Sequence, residues 1–423
     1  MKIAVFHNVT PGGALRALYN AVKYLSESGH DLCLTIPETA NQKFLGLRNF
    51  CNEIKIFPMK FNFSDIPNFF ISHSLLNPFL IASKSIRRLI ASDRCQREIA
   101  EFINESNFDI VFSDQCGFSY SPFLFRYLKT SSVFFCQQPR RSHEAILQKL
   151  SQTRRENTSS RSEKSIKPRY NQKDLKLLQL EIENASFADL ILSNSYYSRE
   201  TILRQLGLNS SVCYLGIDTK HFRPHFKQRE NFILSAGAIH RAKGLDFIIS
   251  SVSKINIKIR PKVILVGTSC AETEKTYLTD LAREMGVVLE IKIMVSENEL
   301  IDLYNRAKIF AYAPYLEPFG LAPLEAMACG TPVVAVKEGG VRETVIDNVT
   351  GFLVDRDEEE FSKAIETLLM DNGLWTTMSA KGIADIEERW TMEAAGDRLL
   401  SYLNRAVEKK YDNPHLSQIR NEN

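Results

Sequence analysis

Two glutamates close together in the sequence are the first residues whose types suggest chemistry. Glu317 and Glu325 are separated by seven residues and bracket a Pro-Phe-Gly turn at 318–320. A helical pattern begins at Leu321 and is ended by Gly330, so Glu317 is expected in a strand-to-helix loop and Glu325 in the early helix. Carboxylates accept hydrogen bonds from hydroxyl pairs, such as those of a sugar ring. The spacing therefore predicts a site for a sugar-containing ligand.

The turn between these glutamates adds a place for an anion. The amides of Phe319, Gly320 and Leu321 lie at the predicted helix start, where free N–H groups and the positive end of the helix dipole favour negative charge. A diphosphate meets this requirement. The alternative is that acids near a helix start interact only with its dipole. Two glutamates that bracket one turn favour the ligand site.

A second loop supplies a cation. In the stretch SAGAIHRAKGLDF, residues 235–247, Lys243 and Gly244 follow a predicted strand and precede a helix. A cationic loop with accessible backbone suits a diphosphate. Arg241, two residues before the lysine, is a candidate for a second positive charge. The alternative is that Lys243 and Arg241 are solvated loop charges, and their position directly after a strand favours the binding role.

The first half of the chain offers two further turns. Gly12 and Gly13 lie between the first strand and a helix, and paired glycines let the backbone approach a ligand closely. A polar turn, Gln137 to Arg141, follows another strand and has no histidine, so hydrogen bonding rather than proton transfer is expected there. Glu38 stands roughly where a dinucleotide-binding protein places its ribose-binding acid. The first turn lacks the G-x-G-x-x-G pattern, which makes that signal weak.

Short apolar strands alternate with amphipathic helices and would position these loops. Strands are predicted at 2–7, 31–36, 54–57, 109–113, 132–136, 189–193, 211–214, 232–236, 262–266, 288–292, 309–313, 333–336 and 352–354. Such strands are typical of parallel sheets covered on both faces. In these sheets, ligands bind beyond the carboxyl ends of the strands.

The pattern restarts near 225–232, which indicates two domains. We expect an α/β fold with two doubly wound Rossmann-like domains facing a central cleft. The first spans 1–218 and the second 225–390, with the C-terminal helix 395–423 a candidate to complete the first. The ligand site is expected in the cleft, the first domain taking the acceptor and the second the nucleotide.

The bulk composition excludes several classes of protein. The 423 residues suit two domains, and a net charge of +3 is too small to indicate nucleic-acid binding. The sequence contains neither a signal-peptide pattern nor an apolar run approaching ~20 residues. The eight cysteines are scattered without a CxxC pair, so neither a zinc site nor a disulfide framework is indicated. A cytoplasmic location is expected.

Two segments depart from the alternating pattern. Residues 61–90 are rich in Phe, Leu and Ile, as in an amphipathic surface resting on a membrane or an ordinary helical excursion packed on the first domain. Residues 140–176 hold eleven Lys or Arg against four Asp or Glu. This stretch is a candidate for peripheral contact with anionic lipid or an anionic acceptor, or is a solvated loop.

The segment 317–330, EPFGLAPLEAMACG, resembles glycosyltransferase family 4, a group with the GT-B fold and an E-x7-E motif. The resemblance covers about 1–40, 105–140 and 185–400. It implies that Glu317 contacts hydroxyls of the transferred sugar and that Glu325 holds the ribose of the nucleotide. It also implies that the turn amides contact the sugar and diphosphate, without a bound metal or other cofactor.

Other stretches share the resemblance with departures. Gly237 and Lys243 match the spacing of the family's Gly-Arg-Leu…Lys-Gly loop, but Ala238 replaces the arginine. The Gly-Gly turn at 12–13 and the stretch 333–345, VVAVKEGGVRETV, also fit. Mannosyl-type members carry His-Glu-Pro or Gln-Glu-Pro where this chain has CQQPRR, which puts a histidine-dependent role in doubt and favours GDP-mannose weakly.

The expected function is retaining, metal-independent transfer of a hexose from a nucleoside-diphosphate sugar to a glycan or lipid-linked acceptor, as in polysaccharide biosynthesis. The catalytic candidates are Glu317, Lys243 and Arg241. The binding candidates are Glu325, Phe319, Gly320, Leu321, Gly12, Gly13, Gln137, Arg141 and Gly237. Three alternatives stay open: a sugar-nucleotide epimerase, an NAD-dependent oxidoreductase and a non-catalytic binding module.

Overall fold

Two parallel β-sheets, one in each half of the chain, organise the molecule. The structure, a computed structural model, describes residues 1–41, 45–61, 84–140 and 172–412. The first sheet has seven strands and the second has six. Each sheet is formed by strands of its own half, so the chain builds two α/β units in succession.

The first sheet has the strand order β3-β2-β1-β4-β5-β6-β7, with all neighbours parallel. Its unit contains β1 (Lys2–Asn8), α1 (Gly13–Glu27), β2 (Asp31–Pro37), β3 (Glu53–Phe57), α2 (Lys84–Glu105), β4 (Ile110–Cys116), β5 (Ser131–Phe135), α3 (Gln172–Ser186), β6 (Leu190–Ser193), α4 (Tyr196–Leu206) and β7 (Ser211–Val212). Alternate residues of β1 enter different clusters: Ile3 and Val5 one, Ala4 and Phe6 another. Both faces of this sheet are therefore covered, as the apolar strands predicted.

The second sheet has the order β10-β9-β8-β11-β12-β13 and is also parallel. Its unit contains β8 (Glu230–Ala236), α5 (Leu245–Ser253), β9 (Lys262–Gly267), α6 (Glu272–Glu284), β10 (Leu289–Ile293), α7 (Glu297–Arg306), β11 (Ala307–Tyr312), α8 (Leu321–Ala328), β12 (Val333–Val336), α9 (Val341–Thr344), β13 (Gly351–Val354), α10 (Glu358–Met370) and α11 (Asn372–Arg389). In both sheets the strand order reverses beside a central strand, β1 or β8. That reversal leaves a crevice at the carboxyl ends of the strands.

The predicted fold is confirmed. Every strand expected from the apolar pattern is present, and its ends differ from the prediction by three residues at most. The largest difference is at β4, which continues to Cys116 through the polar residues Ser113, Asp114 and Gln115. Its apolar pattern stops earlier because these polar side chains form a hydrogen-bonded group at the carboxyl end of the strand.

The chain crosses between the units twice, and the two crossings touch. The Ile217 amide donates to the Trp390 carbonyl at 2.9 Å, and the Met392 amide donates to the Ile217 carbonyl at 2.8 Å. A Cβ on Gly216 would lie 2.1 Å from the Thr391 carbonyl oxygen, so only glycine allows this approach. We refer to this pair of hydrogen-bonded crossings as the hinge.

The final described helix, α12 (Met392–Asp412), returns to the first unit and packs against α1, β4 and β5. Gly396 lies at the crossing with α1, where a Cβ would be 2.1 Å from the Tyr24 ring. Among the described residues, none of the helices combines the length and the apolar character needed to cross a membrane.

Candidate active site

An ion pair lies at the carboxyl ends of two neighbouring strands of the second sheet. Glu317 follows β11 and Lys243 follows β8, and the Glu317 carboxylate is 2.8 Å from the Lys243 ammonium. Both side chains are about one-fifth exposed, at 20% each. The structure thus brings together two of the three catalytic candidates, in a place that a ligand in the cleft can reach.

The loop that carries Glu317 is fixed from the Lys243 side. The Tyr315 amide donates to the Ala242 carbonyl at 2.9 Å. Gly244 packs so closely that a Cβ there would lie 2.1 Å from the Ala313 carbonyl oxygen. The Arg356 guanidinium donates to the Ala313 and Pro314 carbonyls at 3.0 and 3.1 Å. The conformation of the loop is therefore set before a ligand arrives.

The glycine pair at 339–340 supports the same loop from behind. The Gly340 amide donates to the Glu317 carbonyl at 2.8 Å. A Cβ on Gly339 would lie 2.3 Å from that carbonyl oxygen, and one on Gly340 would lie 2.1 Å from the Pro318 carbonyl oxygen. Because backbone occupies both sides of the contact, neither position has room for a side chain. The Gly-rich turn acts as a backbone support for Glu317.

The start of α8 provides the anion position that the sequence predicted. Gly320 precedes the helix with φ +97°, and no side chain among the described residues caps it. The first amides of α8 and the positive end of its dipole therefore remain for a ligand. The Phe319 ring is buried against Tyr214 and Trp390, at centroid distances of 6.3 and 5.7 Å. Phe319 thus offers the cleft its backbone and not its side chain.

Glu325 lies deeper than Glu317 and has different partners. The residue is 5% exposed, and its carboxylate accepts a hydrogen bond from the Tyr304 hydroxyl at 2.8 Å. Its other oxygen is 3.7 Å from Nε of Arg16, which comes from α1 of the first unit. Burial raises the pKa of Glu325, and the nearby Arg16 opposes that rise. The Arg16 guanidinium also pairs with Glu297 at 2.6 Å, so it bridges the two units at the predicted ribose position.

Arg241 does not join the Glu317–Lys243 pair. Its guanidinium is 3.1 Å from the Glu274 carboxylate and lies over the Tyr277 ring, 3.5 Å from the centroid. It belongs to the 3₁₀ turn Arg241–Lys243, where residues two apart point in different directions. Its side chain is 60% exposed. Its role as a second positive charge at the diphosphate stays a prediction.

Gly237 ends β8 and lies close to the lysine. Gly237, Ala238 and Lys243 line one small cavity with Tyr312 at the carboxyl end of β11. The Gly237 amide donates to the Val266 carbonyl at 2.9 Å, which holds the turn against β9. The predicted binding glycine and the predicted cation therefore share one surface.

The first unit faces this surface with a different set of groups. A Cβ added to Gly12 or Gly13 would meet no described atom within 4 Å, so the turn borders open space. Gln137 follows β5, two residues beyond the end of the strand at Phe135, and is 6% exposed. Its amide donates to the Asp114 carboxylate at 2.6 Å and to the Ala14 carbonyl at 3.3 Å. The side chain of Gln137 thus ties the Gly-Gly turn to β4, while Arg141 lies outside the described residues.

Asp114 is a site residue that the sequence reasoning did not identify. It lies at the carboxyl end of β4, and its carboxylate also accepts from the Gln115 amide at 2.6 Å. Burial raises the pKa of Asp114 to about 7. An acidic residue shortly after the apolar residues of β4 could have indicated a site, but the pairing of Asp114 with Gln137 depends on the neighbouring strand. Within the described residues there is no cluster of three or more acidic, His or Cys side chains suited to a metal ion.

Comparisons with known proteins bear on this geometry. Residues 216–385 match the family described as Glycosyl transferases group 1. The matched region contains Lys243, Glu317, Glu325 and the glycine pair at 339–340. The features that build the second-unit surface therefore all fall within the family's region.

Two relatives and one solved structure extend the comparison. D-inositol 3-phosphate glycosyltransferase from Xylanimonas cellulosilytica is 33% identical over 42% of this chain and 43% of its own length. The chain thus spans less than half of that relative. The human alpha-1,3/1,6-mannosyltransferase ALG2 is 24% identical over 72% of this chain and 75% of its own. The structure of Anabaena Alr3699/HepE in complex with UDP-glucose has a TM-score of 0.69 at 17% identity, covering 96% of this chain and 100% of that one. This last likeness establishes the shared two-domain fold.

Proposed function

We propose that the protein is a retaining glycosyltransferase that moves a hexose from a nucleoside-diphosphate sugar to an acceptor hydroxyl. The observation that carries the proposal is the Glu317–Lys243 pair, 2.8 Å apart, beside the uncapped start of α8. One carboxylate for hydroxyls, one cation and one helix start for phosphate charge match the parts of such a donor.

The donor is proposed to bind in one orientation along the surface formed by Lys243, Glu317 and the start of α8. Its diphosphate would bind Lys243 and the first amides of α8, which releases Glu317 to accept hydrogen bonds from the sugar hydroxyls. Glu325 would accept from the ribose hydroxyls through the oxygen that does not bind Tyr304. Lys243 then exchanges the Glu317 carboxylate for the charged diphosphate, and Glu317 exchanges the ammonium for sugar hydroxyls that donate hydrogen bonds to it.

In the proposed reaction, the bond between the anomeric carbon and the diphosphate oxygen breaks and negative charge develops on the leaving group. Lys243 and the positive end of α8 stabilise that charge. The acceptor oxygen forms its new bond to the anomeric carbon on the face that the diphosphate leaves. The acceptor proton passes to the leaving phosphate oxygen. These steps need neither a metal nor another cofactor.

The proposed donor sugar is a hexose, with mannose favoured by the CQQPRR stretch and by the relative named a mannosyltransferase. The structurally similar protein solved with UDP-glucose makes a uridine donor the main competitor. The acceptor is proposed to be a glycan or lipid-linked saccharide bound by the first unit. The proposed location is the cytoplasm. Peripheral contact with a membrane is proposed for residues 61–90 and 140–176, most of which lie outside the described residues.

Nucleoside diphosphate release tests the proposal. The purified protein is incubated with a panel that includes GDP-mannose and UDP-glucose, with and without a mixture of saccharide acceptors. We expect release from one donor, and a loss of about 100-fold in Glu317→Gln because one substrate contact that strengthens in the transition state is removed. Glu387→Gln, at an exposed carboxylate of α11, is the matched control and should retain full activity.

The rival functions give different results in the same assay. An epimerase alters the sugar of its nucleotide sugar without releasing nucleoside diphosphate, and an oxidoreductase responds to NAD. Absence of release from every donor, together with equal nucleotide binding by the wild type and Glu317→Gln, would contradict the transferase assignment.

A further inference from the structure

A helix of the first unit is capped by a carboxylate of the second. The Glu343 carboxylate accepts from the Tyr196 and Tyr197 amides, each at 2.9 Å, with a different oxygen for each. These are the first two amides of α4, and Ser195 accepts from the Ser198 amide at 2.9 Å. The start of α4 is therefore satisfied jointly by a residue of its own unit and one from across the cleft.

The same helix start touches the loop of Glu317. The Ser195 hydroxyl donates to the Pro318 carbonyl at 2.6 Å. On its other side, this carbonyl faces Gly340, where a Cβ would lie only 2.1 Å away. The peptide next to Glu317 is thus held between Ser195 of the first unit and Gly340 of the second. A movement of α4 relative to the second unit must alter the first of these contacts.

Aromatic residues connect this contact to the hinge. The Tyr214 hydroxyl donates to Glu343 at 2.9 Å. The Tyr214 ring packs against Trp390, with centroids 5.3 Å apart, and both rings pack against Phe319. Tyr214 and Trp390 lie beside the two chain crossings between the units. Glu343 is therefore in contact with the helix start across the cleft and with the hinge on which the units would turn.

From these contacts we propose that Glu343 is a positioning residue that couples closure of the cleft to the placement of Glu317. In the closed state, Glu343 holds α4, and α4 holds the Pro318 carbonyl through Ser195. Opening of the cleft breaks both contacts and frees the loop between β11 and α8. The inference rests on the proposed function for its role in turnover, but the coupling itself is a property of the protein alone.

Amide hydrogen exchange tests the coupling without any reaction. The full chain is compared with Glu343→Gln, which keeps the shape of the side chain but removes its charge and one acceptor oxygen. We expect exchange about tenfold faster both at residues 196–197 and at Tyr315 and Gly340, whose amides donate to the Ala242 and Glu317 carbonyls and so report on the loop between β11 and α8. Faster exchange at 196–197 alone would overturn the coupling, and unchanged exchange at both sites would overturn the contact itself.

Two further variants keep the test informative if Glu343→Gln is unstable. Tyr214→Phe removes one hydrogen bond to Glu343 and preserves the ring, so a smaller increase is expected at the same two places. Glu387→Gln is the matched loss of charge away from the cleft and should change neither. A Tyr214→Phe protein with wild-type exchange at both sites would count against the connection to the hinge.

Kinetics then separate positioning from donor binding. With the donor found in the release assay, Glu343→Gln is expected to lower kcat about tenfold while the donor KM changes less than twofold, because the groups that bind the donor are intact. A raised KM with unchanged kcat would overturn the positioning role. If no donor supports release by the wild-type protein, the proposed function fails while the exchange results still decide the coupling.

Discussion

The two walls of the cleft, the surface around Lys243, Glu317 and Glu325 on the second unit and the surface around Gly12–Gly13, Asp114 and Gln137 on the first, are built in different ways. On the second unit, Glu317, the start of α8, Glu325 and the glycine pair at 339–340 all belong to one continuous stretch that begins at the end of β11. On the first unit, the Gly12–Gly13 turn, Asp114 and Gln137 lie at the carboxyl ends of three different strands. A continuous segment shows its chemistry in its spacing, whereas a surface assembled from separate strand ends acquires its chemistry only on folding.

The walls also differ in how tightly they are packed. Glycines of the second unit, such as Gly244 and Gly340, leave about 2 Å between a hypothetical Cβ and a backbone oxygen, at 2.1 Å each. Gly12 and Gly13 of the first unit border open space. The second wall therefore presents its groups in fixed positions, and the first wall has room for a ligand to approach the backbone.

The largest effect is expected at the fixed wall, from Lys243→Met. This change removes the cation that would face the leaving diphosphate, so nucleoside diphosphate release should fall by about 100- to 1000-fold, comparable to losing one preorganised electrostatic contact. The rate is measured at saturating donor. Lys243→Arg keeps the charge and should recover part of the rate. Equal rates for Lys243→Met and the wild type would show that this surface of the second unit does not take part in the reaction.

A pair of glycine substitutions compares the walls directly. Gly340→Ala forces a methyl group against the Pro318 carbonyl, and we expect unfolding to become easier by about 3 kcal/mol, with a parallel loss of release. Gly13→Ala adds a methyl group that meets no described atom within 4 Å, at the first position of α1, so stability should be kept or slightly raised. Urea unfolding measures both.

Donor affinity completes the glycine comparison. If the Gly12–Gly13 turn of the first unit borders the donor, Gly13→Ala raises the donor KM several-fold despite its normal stability. An unchanged KM would mean that the open turn at 12–13 does not border the donor. A destabilised Gly13→Ala protein would mean that the turn is packed in solution, contrary to the space around it.

Sequence patterns predicted the fold because inner strands such as β1 and β11 are buried on both faces and so carry nearly uninterrupted apolar runs. They predicted the Glu317 segment because its turn, helix start and glycines are local in sequence. They did not predict the direction of Arg241, since a 3₁₀ turn places neighbouring side chains differently from an extended loop. Its pairing with Glu274 depends on α6, which no local pattern links to it.

Contacts between elements that are distant in the sequence could not be predicted from it. Arg16 lies three residues after the Gly-Gly turn at 12–13, but its approach to Glu325 requires the relative placement of two units. Glu343 was visible within VVAVKEGGVRETV, but its partners, the amides of Tyr196 and Tyr197, belong to another domain. Such contacts depend on how whole domains pack together, so residue type and spacing within one segment do not predict them.

The first wall can be tested through its buried acid. Burial raises the pKa of Asp114 to about 7, whereas in the unfolded chain it is near the ordinary 3.8. Between these values the folded protein holds a proton that the unfolded chain has lost, so this group lowers the free energy of unfolding as pH rises. Asp114→Asn lacks the effect. From pH 5 to 8, the stability of the variant relative to the wild type should increase by about 2–3 kcal/mol.

Urea unfolding of both proteins across that pH range measures the difference. Glu181 also has a pKa raised to about 7 by burial, but it is present in both proteins and cancels in the comparison. The Asn side chain keeps one acceptor oxygen for the Gln137 amide, and any loss from the other contact is constant with pH and leaves the predicted change unaffected. A difference that stays constant with pH would mean that Asp114 is hydrated rather than buried between β4 and Gln137.

The smallest expected effect concerns the contact that joins the two walls. Arg16 opposes the rise in the pKa of Glu325 that burial causes, so Arg16→Gln should raise that pKa further. A carboxylate accepts ribose hydroxyls more strongly when ionised. Binding of nucleoside diphosphate should therefore weaken as pH falls through the pKa of Glu325, and in Arg16→Gln this weakening should begin at a higher pH. Titration calorimetry from pH 5 to 8 follows it. Arg16→Lys keeps the charge and should stay close to the wild type, whereas coincident pH profiles for all three proteins would show that the walls do not communicate through Glu325.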